Sequence, residues 1–213
     1  MDILYVLFLL TLVFTVVVQI KVSTTFKRYA HVHSAAGRTG AQVARRILDA
    51  HGLFDVRIER VHGHLTDHYD PRSRVLRLSD SVHDNASPSA VGVAAHEVGH
   101  AIQHAEAYAP VIWRTKLVPM VNFASRFSWI AIMLGALLIY TSYLLGSYML
   151  MLGIILFAAT TLFHLVTLPC EFNASRRALA ELELTGWYSS GEIGMSKQVL
   201  RAAALTYVAA LAM

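Results

Sequence analysis

Apolar residues fall in long stretches at three places along the chain. Ile3 to Ile20 is apolar apart from Thr11, Thr15 and Gln19, and Lys21 closes it. At about 1.5 Å per helical residue, such a stretch crosses the roughly 30 Å of a bilayer's hydrocarbon. A secretory signal would open with basic residues and end on a small-residue cleavage site, whereas Asp2 follows Met1 and no Ala-X-Ala appears, so the stretch is read as a retained anchor. Phe127 to Leu145 and Tyr148 to Leu168 form two further candidate spans separated by little more than Gly146-Ser147, which predicts a helical hairpin that crosses and returns. A fourth apolar stretch, Val199 to Met213, is broken by Arg201 and is too short to span; it reads as the start of a possible further membrane helix.

Between these stretches the pattern shortens. Ala41, Val43, Ala44, Ile47 and Leu48 recur at helical spacing within Ser34 to His51, and Gly52 is placed to cap that helix. Val56 to Val61 alternates with period two, and Val75 to Leu78 does so more loosely. With Leu65 to Tyr69 and the turn residues Asp70-Pro71-Arg72-Ser73, they predict a small antiparallel sheet containing one hairpin. Ser87-Pro88 then reads as N-cap and first residue of a helix running to about Ala107.

Composition agrees: 55% of residues are hydrophobic and the mean hydropathy is +0.49, too apolar for an ordinary soluble domain. Most Lys and Arg lie between the first span and the hairpin or just after it, so the positive-inside rule predicts that these polar parts face the cytoplasm; the short flanks Lys21 to Arg28 and Arg114 to Lys116 agree. The net charge of +4 suits a membrane-facing basic surface, and no interleaving of aromatic and basic residues argues for nucleic acid. Cys170 is the single cysteine, so any metal must be held by His and carboxylate.

His96-Glu97-Val98-Gly99-His100 supplies such ligands. Histidines four apart on a helix point about 40° apart, one turn up the same face, where two imidazoles can share a Zn2+ and Glu97 can take a proton from activated water. A catalytic zinc needs a third ligand. Gln103 and Glu106 stand where a metzincin would have Gly and His, which removes that branch and leaves Glu106 a weak candidate. His104 lies about 6 Å further up the helix and reads as a supporting or surface histidine. Glu171, directly after Pro169-Cys170 where the hairpin returns, is a candidate ligand or a carboxylate at a helix N-terminus, with Glu181 and Glu183 as alternatives. Arg176, Tyr188, His62, His64 and His68 are candidates to stabilise an oxyanion, and His164, deep in the third span, reads as a polar partner for a neighbouring helix.

Three ordered motifs carry a resemblance over nearly the whole chain: Asp67 to Arg72, His96 to His104, and Glu171-Phe172-Asn173-Ala174-Ser175-Arg176-Arg177-Ala178 after the hairpin. The chain resembles the YugP family of neutral zinc metallopeptidases of bacterial membranes and, more distantly, the HtpX and CAAX prenyl protease group. The resemblance implies a gluzincin-like core, one Zn2+ per chain on His96, His100 and Glu171, and Arg176 as an active-site arginine. It also exposes a departure: the distant group has Asp four residues after its ligand Glu, where this chain has Ser175, so the acceptor that orients a ligand imidazole is unassigned.

The expected molecule is therefore a mainly α-helical integral membrane protein with three to four transmembrane helices and a small antiparallel sheet. The anticipated segments are an anchor at 1–22, a cytoplasmic metallopeptidase region at 23–117, a membrane hairpin at 118–168, a ligand-bearing helix at 169–198, and a last helix beginning at 199–213. The expected activity is zinc-dependent endoproteolysis of membrane or membrane-proximal proteins, with Glu97 as general base. The hairpin from Leu65 to Leu78 is either a plain turn or an edge that binds substrate as an added strand. A non-enzymatic zinc-stabilised scaffold is the alternative, and Glu97, which a scaffold would not need, argues against it; a transporter is weaker still, since no paired intramembrane charges appear.

Overall fold

The structure, a computed structural model, describes residues 3–212. It is mainly helical, with three strands. Helix α1 spans Ile3–Ala30, continuing well past Lys21, and α2 spans Gly40–Ala50. Thr39 caps α2: its hydroxyl accepts from the Gln42 N–H while the Gln42 side chain accepts from the Thr39 N–H. The anticipated glycine end is present, with Gly52 at φ +70° just beyond the last turn.

Strands β1 (Arg57–Val61), β2 (His68–Asp70) and β3 (Val75–Ser79) follow. The sheet is mixed, not antiparallel as expected: its order is β1-β3-β2, with β1 parallel to β3 and β2 antiparallel to β3. The physical reason is burial. Val75, Leu76, Leu78 and Ser79 are fully buried, so β3 takes the central place with both faces covered, and the half-exposed β1 and β2 become edges. The β2–β3 hairpin matches expectation.

A short turn of helix, α3 (Asp80–His83), leads to α4 (Pro88–Ala105), whose Ser87 hydroxyl accepts from the Ala90 N–H. Helix α5 (Ala109–Leu138) and helix α6 (Tyr143–Thr185) then form the hairpin, and α7 (Ser190–Ala212) ends the described chain. The hairpin turn lies at Ile139–Ser142, not at Gly146-Ser147. Gly146 sits inside α6, where a Cβ would come within 2.5 Å of the Ile139 Cα, so this glycine serves close helix approach rather than chain reversal. Helix α6 also runs unbroken through Pro169, so Glu171 lies in mid-helix instead of at a helix N-terminus.

Among the described residues, three helices are long and apolar enough to cross a membrane: α1, α5 and α6. The stretch from Val199 onward belongs to α7, which packs on α1. The core gathers α2, α4, β3, α7 and the polar end of α6, with Leu48, Leu76, Leu78, Ile102 and Leu182 fully buried. The Ser89 hydroxyl donates to the Phe26 carbonyl at 2.8 Å, and the Ser196 hydroxyl to the Pro88 carbonyl at 2.8 Å, tying α4 to α1 and α7. Among the described residues His164 has no hydrogen-bond partner on a neighbouring helix, contrary to expectation; its Nδ1 is buried without a hydrogen bond.

Helix α4 approaches α6 closely at Gly99, where a Cβ would meet the Ala174 carbonyl oxygen at 2.7 Å. Gly99→Ala is expected to cost about 1–3 kcal/mol of stability through overpacking. Gly194→Ala, in open space on α7, should be neutral or stabilising. Thermal unfolding of both variants in detergent checks this, and equal midpoints would contradict the contact.

Candidate metal centre

The histidines stand on α4 one turn apart, and α6 crosses that face at Gly99. The crossing delivers Glu171. His96 Nε2 and His100 Nε2 lie 3.2 and 3.6 Å from the same carboxylate oxygen, Glu171 Oε2. One ligand atom from each of His96, His100 and Glu171 falls within 4.8 Å of the others, the spacing of a group that can hold a metal ion. Glu171 is 4% exposed, a carboxylate that would be costly to bury without positive charge beside it.

Hydrogen bonds set each imidazole's orientation. A nitrogen offered to a metal must carry its lone pair outward, so the proton belongs on Nδ1. His96 Nδ1 then donates to the Ser175 hydroxyl at 3.1 Å, and His100 Nδ1 donates to Gln103 Oε1 at 3.0 Å. Gln103 is fully buried and its amide is held in turn, donating to the Cys170 carbonyl at 2.8 Å and to Asn173 Oδ1 at 2.9 Å. Ser175, where an acid was missing, thus fills the acceptor role for one ring, and Gln103 fills it for the other.

Electrostatics favour a positive charge in this pocket. Burial alone would lower the His100 pKa, but the contacts with Cys170 and Glu171 together outweigh it and push it up to about 10. Two imidazole nitrogens, one carboxylate and anchored second nitrogens fit Zn2+ well. Glu97, beside them, accepts a hydrogen bond at Oε2 from the Tyr69 N–H of edge strand β2 at 3.1 Å. The loop before β2 is fastened by Asp67, which accepts from the Ser79 N–H at 2.7 Å and its hydroxyl at 3.0 Å; burial raises the Asp67 pKa, partly offset by those bonds.

Two cavities meet at these residues. The larger, about 700 Å3, lies between β2, α4 and α5; the smaller, about 310 Å3, lies between α1, α4, α6 and α7. His96, Glu97, Glu171, Asp67 and Tyr207 line both.

Several anticipated residues are elsewhere. Arg176 is exposed and lines neither cavity; the arginine at the site is Arg114 of α5, whose Nη1 lies 3.2 Å from Glu171 Oε1. Glu106 is ion-paired with Arg177 at 2.6 Å, Glu181 with His51 at 2.9 Å, and Glu183 is exposed. His104 lines the larger cavity and meets the Tyr69 hydroxyl at 3.2 Å; His68 also lines it. His62 pairs with Asp80, His64 packs on Phe26, and Tyr188 is buried in the core, its pKa pushed up to about 12 by burial. Arg114, Gln103 and Tyr207 are the site residues that sequence reasoning missed. A charge at the mouth of an apolar helix was the one available signal for Arg114.

A helix-borne pair of histidines and a buried glutamate, set beside bilayer-length helices, form a group that can hold a metal ion at the edge of an apolar helical bundle. The chain belongs to the family described as "Putative neutral zinc metallopeptidase", which matches residues 4–213. It is 50% identical over 192 residues to the "Putative membrane protease YugP" of Bacillus subtilis (strain 168), covering 90% of this chain and 83% of that protein. No solved structure matches it.

The Ser175 contact is testable by chelator competition. Ser175→Ala is expected to weaken zinc affinity about ten- to a hundred-fold, and Ser175→Asp to restore it. Unchanged affinity in Ser175→Ala would show that His96 is oriented by something else.

Proposed function

We propose that this protein is a membrane-embedded zinc endopeptidase that hydrolyses peptide bonds of membrane or membrane-proximal proteins. The observation that carries the reading is the convergence of His96 and His100 Nε2 on one oxygen of buried Glu171, with Glu97 on the adjoining helical position facing the same cavities. His96, His100 and Glu171 would hold one Zn2+ per chain. When bound, Zn2+ supplies Lewis-acid polarisation of a carbonyl and a lowered pKa for water.

The remaining chemistry belongs to the chain. Glu97 acts as general base: the Tyr69 N–H holds Oε2, so the proton of the attacking water is taken at Oε1 and passed to the leaving amine nitrogen. Strand β2 is a sheet edge and lines the larger cavity, so an extended substrate is held there as an added strand. Arg114 pairs with Glu171 Oε1, leaving Oε2 for the side where the imidazoles converge. Tyr207, whose pKa is raised by burial first and by Glu171 second, stays protonated and is the donor for the developing oxyanion. Arg176, the arginine anticipated from the resemblance, has no part in this scheme.

The end of α1, the start of α5 and the polar end of α6 all pack on α4, and Lys21, Lys27, Arg28 and Lys116 flank these junctions. That arrangement supports a cytoplasmic active site under the positive-inside rule.

Glu97→Gln should retain zinc and lose about 100-fold or more of its hydrolysis of an unfolded polypeptide, read by metal analysis and fragment release from the same preparation. Zinc bound to both forms with no cleavage by the wild type would instead identify a zinc-stabilised scaffold.

A further inference from the structure

The larger cavity does not end at the metal ligands. Six residues of α5 line it, Val111, Arg114, Thr115, Val118, Pro119 and Asn122, and their spacing is that of one continuous helical face. From Val111 to Asn122 this wall runs about 16 Å along a helix long and apolar enough to cross a bilayer. Its direction is set by the hairpin, because Gly153 of α6 abuts Ser128 and Ile132 while Gly135 abuts Leu150. Carrying that antiparallel register back along the pair sets Asn122 beside about residue 161 of α6, inside the apolar run. The far end of the cavity therefore reaches the margin of the apolar stretch that begins at Phe127, with exposed Arg126 one turn beyond Asn122.

That end is not chemically blank. Pro119 has no N–H to give the Thr115 carbonyl four residues earlier, so a backbone acceptor is freed on the face that lines the cavity. One turn further on, Asn122 is exposed, and its carboxamide has no hydrogen-bond partner among the described residues. An acceptor and an amide group at the margin of the apolar stretch are what a peptide backbone unwinding out of a span requires, since hydrocarbon cannot satisfy its N–H and C=O groups.

We infer that the α5 wall is a binding groove for the unwound end of a substrate's transmembrane segment, held through its backbone by the Thr115 carbonyl and the Asn122 carboxamide. The assignment rests on the peptidase reading for its chemistry, and it narrows the substrate class. The bond cut lies within a few residues of a membrane span, with the span side in the α5 groove and the polar side along β2.

The test uses the full-length, zinc-loaded protein in phosphatidylcholine vesicles with two probes, a labelled single-span peptide and an unfolded soluble polypeptide. In a Glu97→Gln background, Asn122→Leu is expected to weaken retention of the single-span peptide about ten-fold while changing that of the soluble polypeptide less than about two-fold. Pro119→Ala, which returns an N–H to the Thr115 carbonyl and favours the helix, should shift selectivity the same way. In active protein, cuts in the single-span peptide should cluster beside the span. Equal losses on both probes, or no change on the single-span peptide, overturn the groove. Asn122-dependent retention with no cleavage by the active protein upholds the groove and removes the peptidase reading; cleavage that ignores Asn122 does the reverse.

Discussion

A carboxylate buried in the middle of a 43-residue helix is the constraint on which the rest of this structure depends. Glu171 is nearly inaccessible, and a lone charge there would carry a desolvation penalty of several kcal/mol. Its two oxygens are answered from different directions. Oε2 faces the two imidazoles of α4, and Oε1 faces Arg114 of α5. Three helices are thus drawn to one point, and the close approach of Gly99 to Ala174 lets α4 come near enough to α6 for this to happen. A small residue on one helix and a costly charge on another are parts of the same arrangement.

Around that point, support passes through residues with no acidic group of their own. Ser175 and Gln103 each accept from one imidazole Nδ1, and Gln103 is locked by the Cys170 carbonyl and Asn173. Glu171, Ser175, Cys170 and Asn173 all belong to one short stretch of α6. That stretch therefore supplies both a ligand candidate and the orientation of its partners, and α6 runs continuously through Pro169 from the hairpin to the site.

How far the sequence reached follows from the range of each interaction. Helix α4, its Ser87 cap and the Gly52 stop of α2 were legible because caps and four-residue spacing are local. The β2–β3 turn was legible for the same reason. Strand order was not: β1 and β3 lie far apart in the chain, and only burial of β3 on both faces decides that it sits between its neighbours. Gly146 was misread because glycine serves turns and tight helix contacts alike, and its role depends on what lies opposite, here Ile139. Arg114 was visible only as a flanking charge, while Tyr207 and Gln103 acquire meaning only when α5, α6 and α7 are brought together. Arg176, carried over from a resemblance, faces outward one helical position after Ser175.

The central claim is that His96, His100 and Glu171 form one zinc site. X-ray absorption at the zinc edge of wild type and Glu171→Ala tests it most directly. The account predicts an imidazole and oxygen ligand shell without sulfur in the wild type, and either loss of the metal or loss of a carboxylate oxygen in Glu171→Ala. A sulfur ligand from Cys170, or a shell unchanged by removing Glu171, would contradict it.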